Sequence, residues 1–212
     1  LQKAERPIIV AGGGARASGA GKELVALAEA LQILVATSLN GKDIIPGVHP
    51  LSVGVVGTYS RETANRAVNS ADLVCFIGTE TGGMTTHFWA TPRIGTPAIQ
   101  IDIEAEALGR NYPLQVSGLG DAKSVLIRML GQIDKSSAVK RAPWIKEIAA
   151  LRADWYAKYK PMLESDAVPI HPASPERLRR YIQNLAAMVL EELLVGGGGL
   201  PAGKAPHVMD HL

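Results

Sequence analysis

The sequence predicts an α/β fold: an open parallel sheet of about six strands with helices on both faces, followed by a helical linker region. Three observations lead to this prediction. Short, largely apolar runs recur along the first part of the chain, and amphipathic helical patterns separate them. Glycine is concentrated in the same part, because 17 of the 22 glycines lie between Gly12 and Gly131. Many short elements joined by tight turns are therefore expected first, and long helices later.

The predicted strands are continuous apolar runs, which are typical of parallel strands buried on both faces. They are PIIVA (7–11), ILVA (33–36), LVCFI (73–77), AIQI (98–101) and LQV (114–116). Helices are predicted between them at 22–31, 60–70 and 121–133. Asp121 is the expected N-cap of the last one, because its carboxylate can accept a hydrogen bond from an amide of the first turn. Strand and helix alternate, so a Rossmann-like sheet with right-handed crossovers is expected.

Changes in composition predict three segments. They are a central α/β domain (1–134), a helical linker region (135–195) and a flexible tail (196–212). Within the linker region, Ser174-Pro175-Glu176 has the residues that typically begin a helix. The sequence starts without an initiator Met and without an apolar signal-peptide core. We therefore expect it to begin inside a longer protein.

Composition argues against several classes of function. The net charge is only +2 and aromatic residues make up 5% of the chain, so neither a basic patch for nucleic acid nor a base-stacking platform is expected. No apolar run is long enough for a transmembrane helix, so no membrane partner is expected. The single cysteine, Cys75, excludes an intramolecular disulfide and favours a reducing compartment, which predicts a cytoplasmic protein.

A glycine-rich turn follows the first predicted strand. Gly12-x-Gly14-x-x-Ala17 fits the dinucleotide fingerprint, in which glycines let the backbone approach a pyrophosphate. The fingerprint also needs an acidic residue at the end of the second strand, but the first acid after that strand is Asp43. An NAD site and a glycine-rich turn without a ligand both remain open at this point.

The stretch 37–58 is the longest without periodicity, and it ends with Gly54 and Gly57. Loops of this length are often functional, and two glycines could bring backbone close to a ligand. A packing loop at the carboxyl ends of the strands is the alternative, and the sequence does not distinguish the two. No catalytic residue and no metal-ligand set are predicted, and Cys75 is expected to be an inert core residue.

Seven motifs occur in a fixed order along the chain. They are RPIIVAGGG (6–14), VATSLNG (35–41), GVVG (54–57), ADLVCFIG (71–78), IDIE (101–104), LGRN (108–111) and GDA (120–122). Their order and spacing resemble the central domain of thiamine-diphosphate-dependent enzymes of the acetolactate synthase and pyruvate decarboxylase group. The resemblance covers roughly residues 5–130 and extends more weakly through SPERL (174–178).

The resemblance implies a three-domain, homo-oligomeric parent enzyme that acts on 2-oxo acids. Thiamine diphosphate and Mg²⁺ would be held by a pyrimidine-binding domain and a diphosphate-binding domain, both of which are absent from this sequence. The metal-binding G-D-G motif of the family is also absent, because Gly120-Asp121 is followed by Ala122. This chain alone is therefore expected to be inactive and to serve a structural role.

The resemblance also implies where a nucleotide such as FAD or ADP would bind. Gly12, Gly13 and Gly14 would face the pyrophosphate. The other implied positions are Ser38 and Leu39 beside the ring system, Gly54 and Gly57 at a close approach, Gly78 and Thr79 below the ligand, Asp102 and Ile103 at the ribose and adenine, and Asp121 beside them. Family members that bind FAD have an arginine-rich segment after the strand that ends at Gly78. Here Glu80 lies in that segment and disfavours a diphosphate. A freestanding module that binds ADP, NAD or FAD without catalysis is the alternative function.

Overall fold

Six parallel strands form one open sheet in the computed structural model, which describes residues 1–167, 174, 177, 179–184 and 186. The strands are β1 (Pro7–Ala11), β2 (Leu34–Thr37), β3 (Ser52–Val55), β4 (Leu73–Ile77), β5 (Ala98–Asp102) and β6 (Leu114–Leu119). Their order in the sheet is β3-β2-β1-β4-β5-β6, and every neighbouring pair is parallel. The predicted fold class is confirmed.

The two central strands, β1 and β4, are buried along their whole length. They pair in register from Pro7 opposite Leu73 to Ala11 opposite Ile77. Burial on both faces explains why their sequences are apolar without alternation. The edge strand β6 is largely exposed, and its sequence is correspondingly mixed.

The structure has six α-helices among its described elements. They are α1 (Gly13–Ala17), α2 (Gly21–Leu31), α3 (Glu62–Asn69), α4 (Gly83–Thr86), α5 (Ala122–Leu130) and α6 (Ala142–Leu163). Of these, α2, α3 and α5 lie where the amphipathic patterns predict helices. In α2 the predicted apolar stripe, Leu24, Leu27, Ala28 and Leu31, is buried. At the start of α5 the Ser124 N–H donates to Asp121 Oδ1 at 2.9 Å, which confirms the predicted cap. This bond lowers the pKa of the Asp121 carboxyl.

A strand that is not predicted from the sequence lies at one edge of the sheet. The stretch 37–58, predicted to be without regular structure, contains β3. Ser52–Val55 is short, includes Gly54 and is only half buried at its end, so it does not form a continuous apolar run in the sequence. It pairs with β2 at an edge of the sheet.

The chain divides into two compact units, Leu1–Ala153 and Asp154–Leu212. The segment after Asp134 forms a 3₁₀ helix (Lys135–Arg141) that leads into α6, whose Trp144 and Ile148 are buried. The predicted domain boundary after Asp134 remains a prediction. Of the helix predicted from Ser174, residues 177, 179–184 and 186 are helical, and the predicted flexible tail lies outside the described residues. Among the described helices, none combines the length and apolar character needed to cross a bilayer.

Candidate functional site at the carboxyl edge of the sheet

All the site residues implied by the resemblance lie at one edge of the sheet. Because the strands are parallel, their carboxyl ends meet there, and ligands of open α/β sheets usually bind at this edge. The residues, taken strand by strand, are Gly12–Gly14 after β1, Ser38 and Leu39 after β2, Gly54 in β3 with Gly57 after it, Gly78 and Thr79 after β4, Asp102 and Ile103 at the end of β5, and Asp121 after β6.

The centre of this edge is the junction between β1 and β4, where the order of the strands reverses direction. The Gly12 N–H donates to the Ile77 carbonyl at 2.9 Å, and the Gly14 N–H donates to the Gly78 carbonyl at 2.9 Å. A Cβ atom on Gly12 would lie 2.2 Å from the Gly78 oxygen. The turn after β1 therefore lies directly on the backbone after β4.

Gly78 completes this contact from the other side. Its φ is +59°, and a Cβ atom there would lie 2.2 Å from the Ala15 nitrogen. Gly12 and Gly78 are thus required for packing, and the N–H groups of Gly12 and Gly14 are bonded within the protein. A pyrophosphate at this turn would have to be bound by other donors.

The loop after β3 lies against α4. The Gly57 N–H donates to Asn65 Oδ1 at 2.9 Å, and Asn65 Nδ2 donates to the Gly57 carbonyl at 3.0 Å. A Cβ atom on Gly57 would lie 2.0 Å from the Met84 oxygen. Both predicted glycine segments thus contact the segment after β4, one at Gly78 and the other at Met84.

Glu80, predicted to repel a diphosphate, is paired in the structure. Its carboxylate lies 3.0 Å from the Arg110 guanidinium, and both side chains are exposed. Asn111 Nδ2 donates to the Glu80 carbonyl at 2.9 Å and also contacts Thr81. The negative charge of Glu80 is therefore partly offset by a cation at the same edge.

Gln100 is a site-supporting residue that the sequence reasoning missed. It is buried in β5, where its Nε2 donates to the Thr79 carbonyl at 3.1 Å and its Oε1 accepts from the Gly109 N–H at 3.0 Å. It thereby joins the loop after β4 to the loop after β5. A polar residue inside the apolar run AIQI was the available signal, because buried amides are retained where they satisfy backbone groups.

The remaining candidate residues have different environments. Asp102 is buried and its Oδ1 accepts from the Glu104 N–H at 3.1 Å, while Ser38 Oγ accepts from the Gly41 N–H at 3.0 Å. Leu39 and Ile103 are 56% and 68% exposed. The central glycine contact is thus flanked, on the β2 side and the β5 side, by an apolar side chain open to solvent.

The described residues hold no cluster of His, Cys, Asp or Glu suited to a metal ion. Cys75 is fully buried in β4, and burial raises the pKa of its thiol to about 12. A thiolate is therefore not formed at neutral pH, in agreement with the prediction of an inert core residue.

Comparison with known families identifies the domain. The family model for the central domain of thiamine pyrophosphate enzymes matches residues 1–129. The chain belongs to this family. The match covers the whole parallel sheet and ends in α5, so the central thiamine pyrophosphate enzyme domain is the six-stranded unit described above.

Several curated proteins are similar over most of the chain. A probable acetolactate synthase large subunit of Methanocaldococcus jannaschii is 33% identical over 195 residues, which are 90% of this chain and 31% of that protein. Its counterpart in Methanococcus aeolicus is 33% identical over 89% of this chain and 31% of its own length. A probable 2-ketoarginine decarboxylase of Pseudomonas aeruginosa is 35% identical over 76% of this chain and 28% of its own length. The chain spans about a third of the length of these relatives.

The central glycine contact gives a first prediction. Gly12→Ala is expected to destabilise the domain by about 3 kcal/mol or more, because the added methyl group would meet backbone that cannot move without displacing β4. Gly47→Ala is the matched control, since a Cβ atom at Gly47 has no neighbour within 4 Å, and it should stay within about 0.5 kcal/mol of wild type. Denaturant unfolding measures both values. Equal stability of the two variants would contradict the packing role of Gly12.

Proposed function

We propose that this chain is the central domain of an acetolactate-synthase-like, thiamine-diphosphate-dependent enzyme that acts on 2-oxo acids. The observation that carries the proposal is the family match over the entire sheet, together with acetolactate synthase large subunits among the relatives. The freestanding nucleotide-binding module, predicted as the alternative, has no comparable support. Chemistry differs among the relatives, as the 2-ketoarginine decarboxylase illustrates, so the proposal extends to the 2-oxo acid class.

We infer that this chain does not itself hold thiamine diphosphate or its Mg²⁺. Its sequence lacks the G-D-G motif, and the described residues hold no metal-binding cluster. In the proposed parent, the pyrimidine-binding and diphosphate-binding domains hold the cofactor, which supplies an electron sink for decarboxylation or carboligation. This chain would space those domains and contribute to contacts between subunits of a cytoplasmic homo-oligomer.

We also propose that a nucleotide binds at the carboxyl edge of the sheet. The close-packed glycine backbone, with exposed Leu39 and Ile103 on either side, offers a floor and apolar edges suited to the ring system of FAD or ADP. Fewer hydrogen-bond donors are available for a diphosphate, because the N–H groups of Gly12 and Gly14 donate to carbonyls within the protein. Arg110 is a cation adjacent to the loop after β4, and Glu80 competes with a phosphate for it.

A domain-replacement experiment tests the main proposal. The aligned third of the M. jannaschii relative is replaced by the matching part of this chain, and acetolactate formation from pyruvate is measured with thiamine diphosphate and Mg²⁺. The replaced enzyme is expected to form product. The same replacement carrying Gly12→Val serves as the control and should be inactive, because the contact with Gly78 is lost. A replaced enzyme that folds and binds thiamine diphosphate but forms no product would contradict the proposal.

Two opposite substitutions test the nucleotide site. Glu80→Gln and Arg110→Gln both break the same ion pair, so their effects on the stability of the free domain should be similar. If a diphosphate binds here, Glu80→Gln should tighten ADP and FAD binding by about threefold and Arg110→Gln should weaken it by about as much. Thermal unfolding with ADP, FAD and NAD measures this, since ligand at tenfold its Kd adds about 1.4 kcal/mol of stability. Equal responses of the two variants would exclude Arg110 as a phosphate ligand.

A further inference from the structure

The two ends of the first compact unit lie side by side. Residues 1–6, here called the leading segment, precede β1, and residues 134–152, the trailing segment, follow α5 and include the first half of α6. Gln2 Nε2 donates to the Asp134 carbonyl at 3.4 Å, and Lys140 Nζ donates to the Lys3 carbonyl at 2.8 Å. The leading and trailing segments are therefore joined by hydrogen bonds to backbone carbonyls.

Arg141 is the centre of these contacts, and its side chain is fully buried. Its Nη2 donates to the carbonyls of Leu1 and Gln2 at 2.8 Å and 3.4 Å. Its Nε donates to the Ala4 carbonyl at 3.3 Å, and its Nη1 donates to the Leu31 carbonyl at the end of α2. One guanidinium thus binds three carbonyls of the leading segment and one of the sheet-covering helix.

A second set of contacts continues along α6. Arg6 forms an ion pair with Glu147 at 3.4 Å, and its guanidinium lies 5.3 Å from the centre of the Trp144 ring. Trp144 itself is buried. Arg152, two turns further along the helix, donates to the Pro50 carbonyl at 2.7 Å. The first half of α6 is therefore held at several points.

Asp72 anchors the leading segment to the sheet. Its carboxylate, just before β4, accepts from the Glu5 N–H at 2.7 Å and from the Arg6 N–H at 3.0 Å. Burial lowers the pKa of the Arg141 guanidinium, and the Asp72 charge opposes that shift. The guanidinium remains a cation at neutral pH, because the pKa of arginine starts far above neutrality.

We propose that Arg141 is a clasp that fixes the two points, in the leading and trailing segments, where the chain enters and leaves the first compact unit. This inference rests on the proposed function, in which the polypeptide continues beyond both segments into the other domains of the parent enzyme. A buried charge is a poor means of adding stability, and apolar residues of similar volume often do better. The rigid fork of arginine instead imposes a geometry on the carbonyls that it joins.

Hydrogen exchange of the complete chain, without cofactor or substrate, tests the clasp. In wild type, the Glu5 and Arg6 amides are bonded to Asp72, and the amides of residues 146–150 lie beyond the first turn of α6, so both groups should be protected. Arg141→Lys keeps the charge but cannot reach four carbonyls. It is expected to speed exchange about tenfold in the leading and trailing segments together, while β1 and β4 keep their protection.

A matched variant and two contrary outcomes make the test decisive. Arg128→Lys changes an exposed arginine of α5 and should leave all exchange rates unchanged. Equal acceleration throughout the sheet would show that Arg141 serves global stability, and no acceleration would show that it joins nothing; either result overturns the proposal. Arg141→Met also removes the charge and is the more drastic variant. If it fails to fold, the exchange rates of Arg141→Lys alone decide between these outcomes. Since no activity is measured, failure of the clasp is distinguishable from failure of the domain-replacement experiment.

Discussion

The contact between the turn after β1 and the backbone after β4 is the constraint on which the carboxyl edge depends. Gly12 and Gly14 allow the turn to lie against Gly78, and Gly78 allows α1 to approach from the other side. The loop after β2 also lies against this turn, because a Cβ atom on Gly41 would overlap the Ala11 carbonyl oxygen. The loop after β4 contains Thr79 and Glu80. Gln100 and Asn111 donate hydrogen bonds to the carbonyls of these two residues and so join this loop to the loop after β5. A side chain on Gly12 would have to displace the backbone at Gly78.

The sequence was sufficient to predict the sheet wherever burial is symmetrical. β1 and β4 are buried on both faces, so their residues are uniformly apolar and stand out. β3 was missed because an edge strand of four residues that includes Gly54 has neither length nor pattern. The one-turn helix α4 was missed for a similar reason, since four residues cannot show a helical period.

The candidate site was only partly predictable, because the role of each of its residues depends on contacts with residues that are distant in the sequence. The glycines could be identified from the sequence, but that Gly12 packs against Gly78 could not. Glu80 was expected to disfavour a diphosphate, but its ion-pair partner Arg110, 30 residues away, could not be identified from the sequence. Arg141 lies in a polar stretch that was interpreted as a linker. Its partners are backbone carbonyls, which have no signature in the sequence.

We propose that this domain organises a thiamine-diphosphate enzyme without holding the cofactor itself. The most direct measurement is calorimetric titration of the 212-residue chain with thiamine diphosphate and Mg²⁺, with a full-length relative as the positive control. We expect no saturable heat from this chain, because it lacks the G-D-G motif and its described residues hold no metal-binding cluster. Saturable binding at micromolar cofactor would contradict the account.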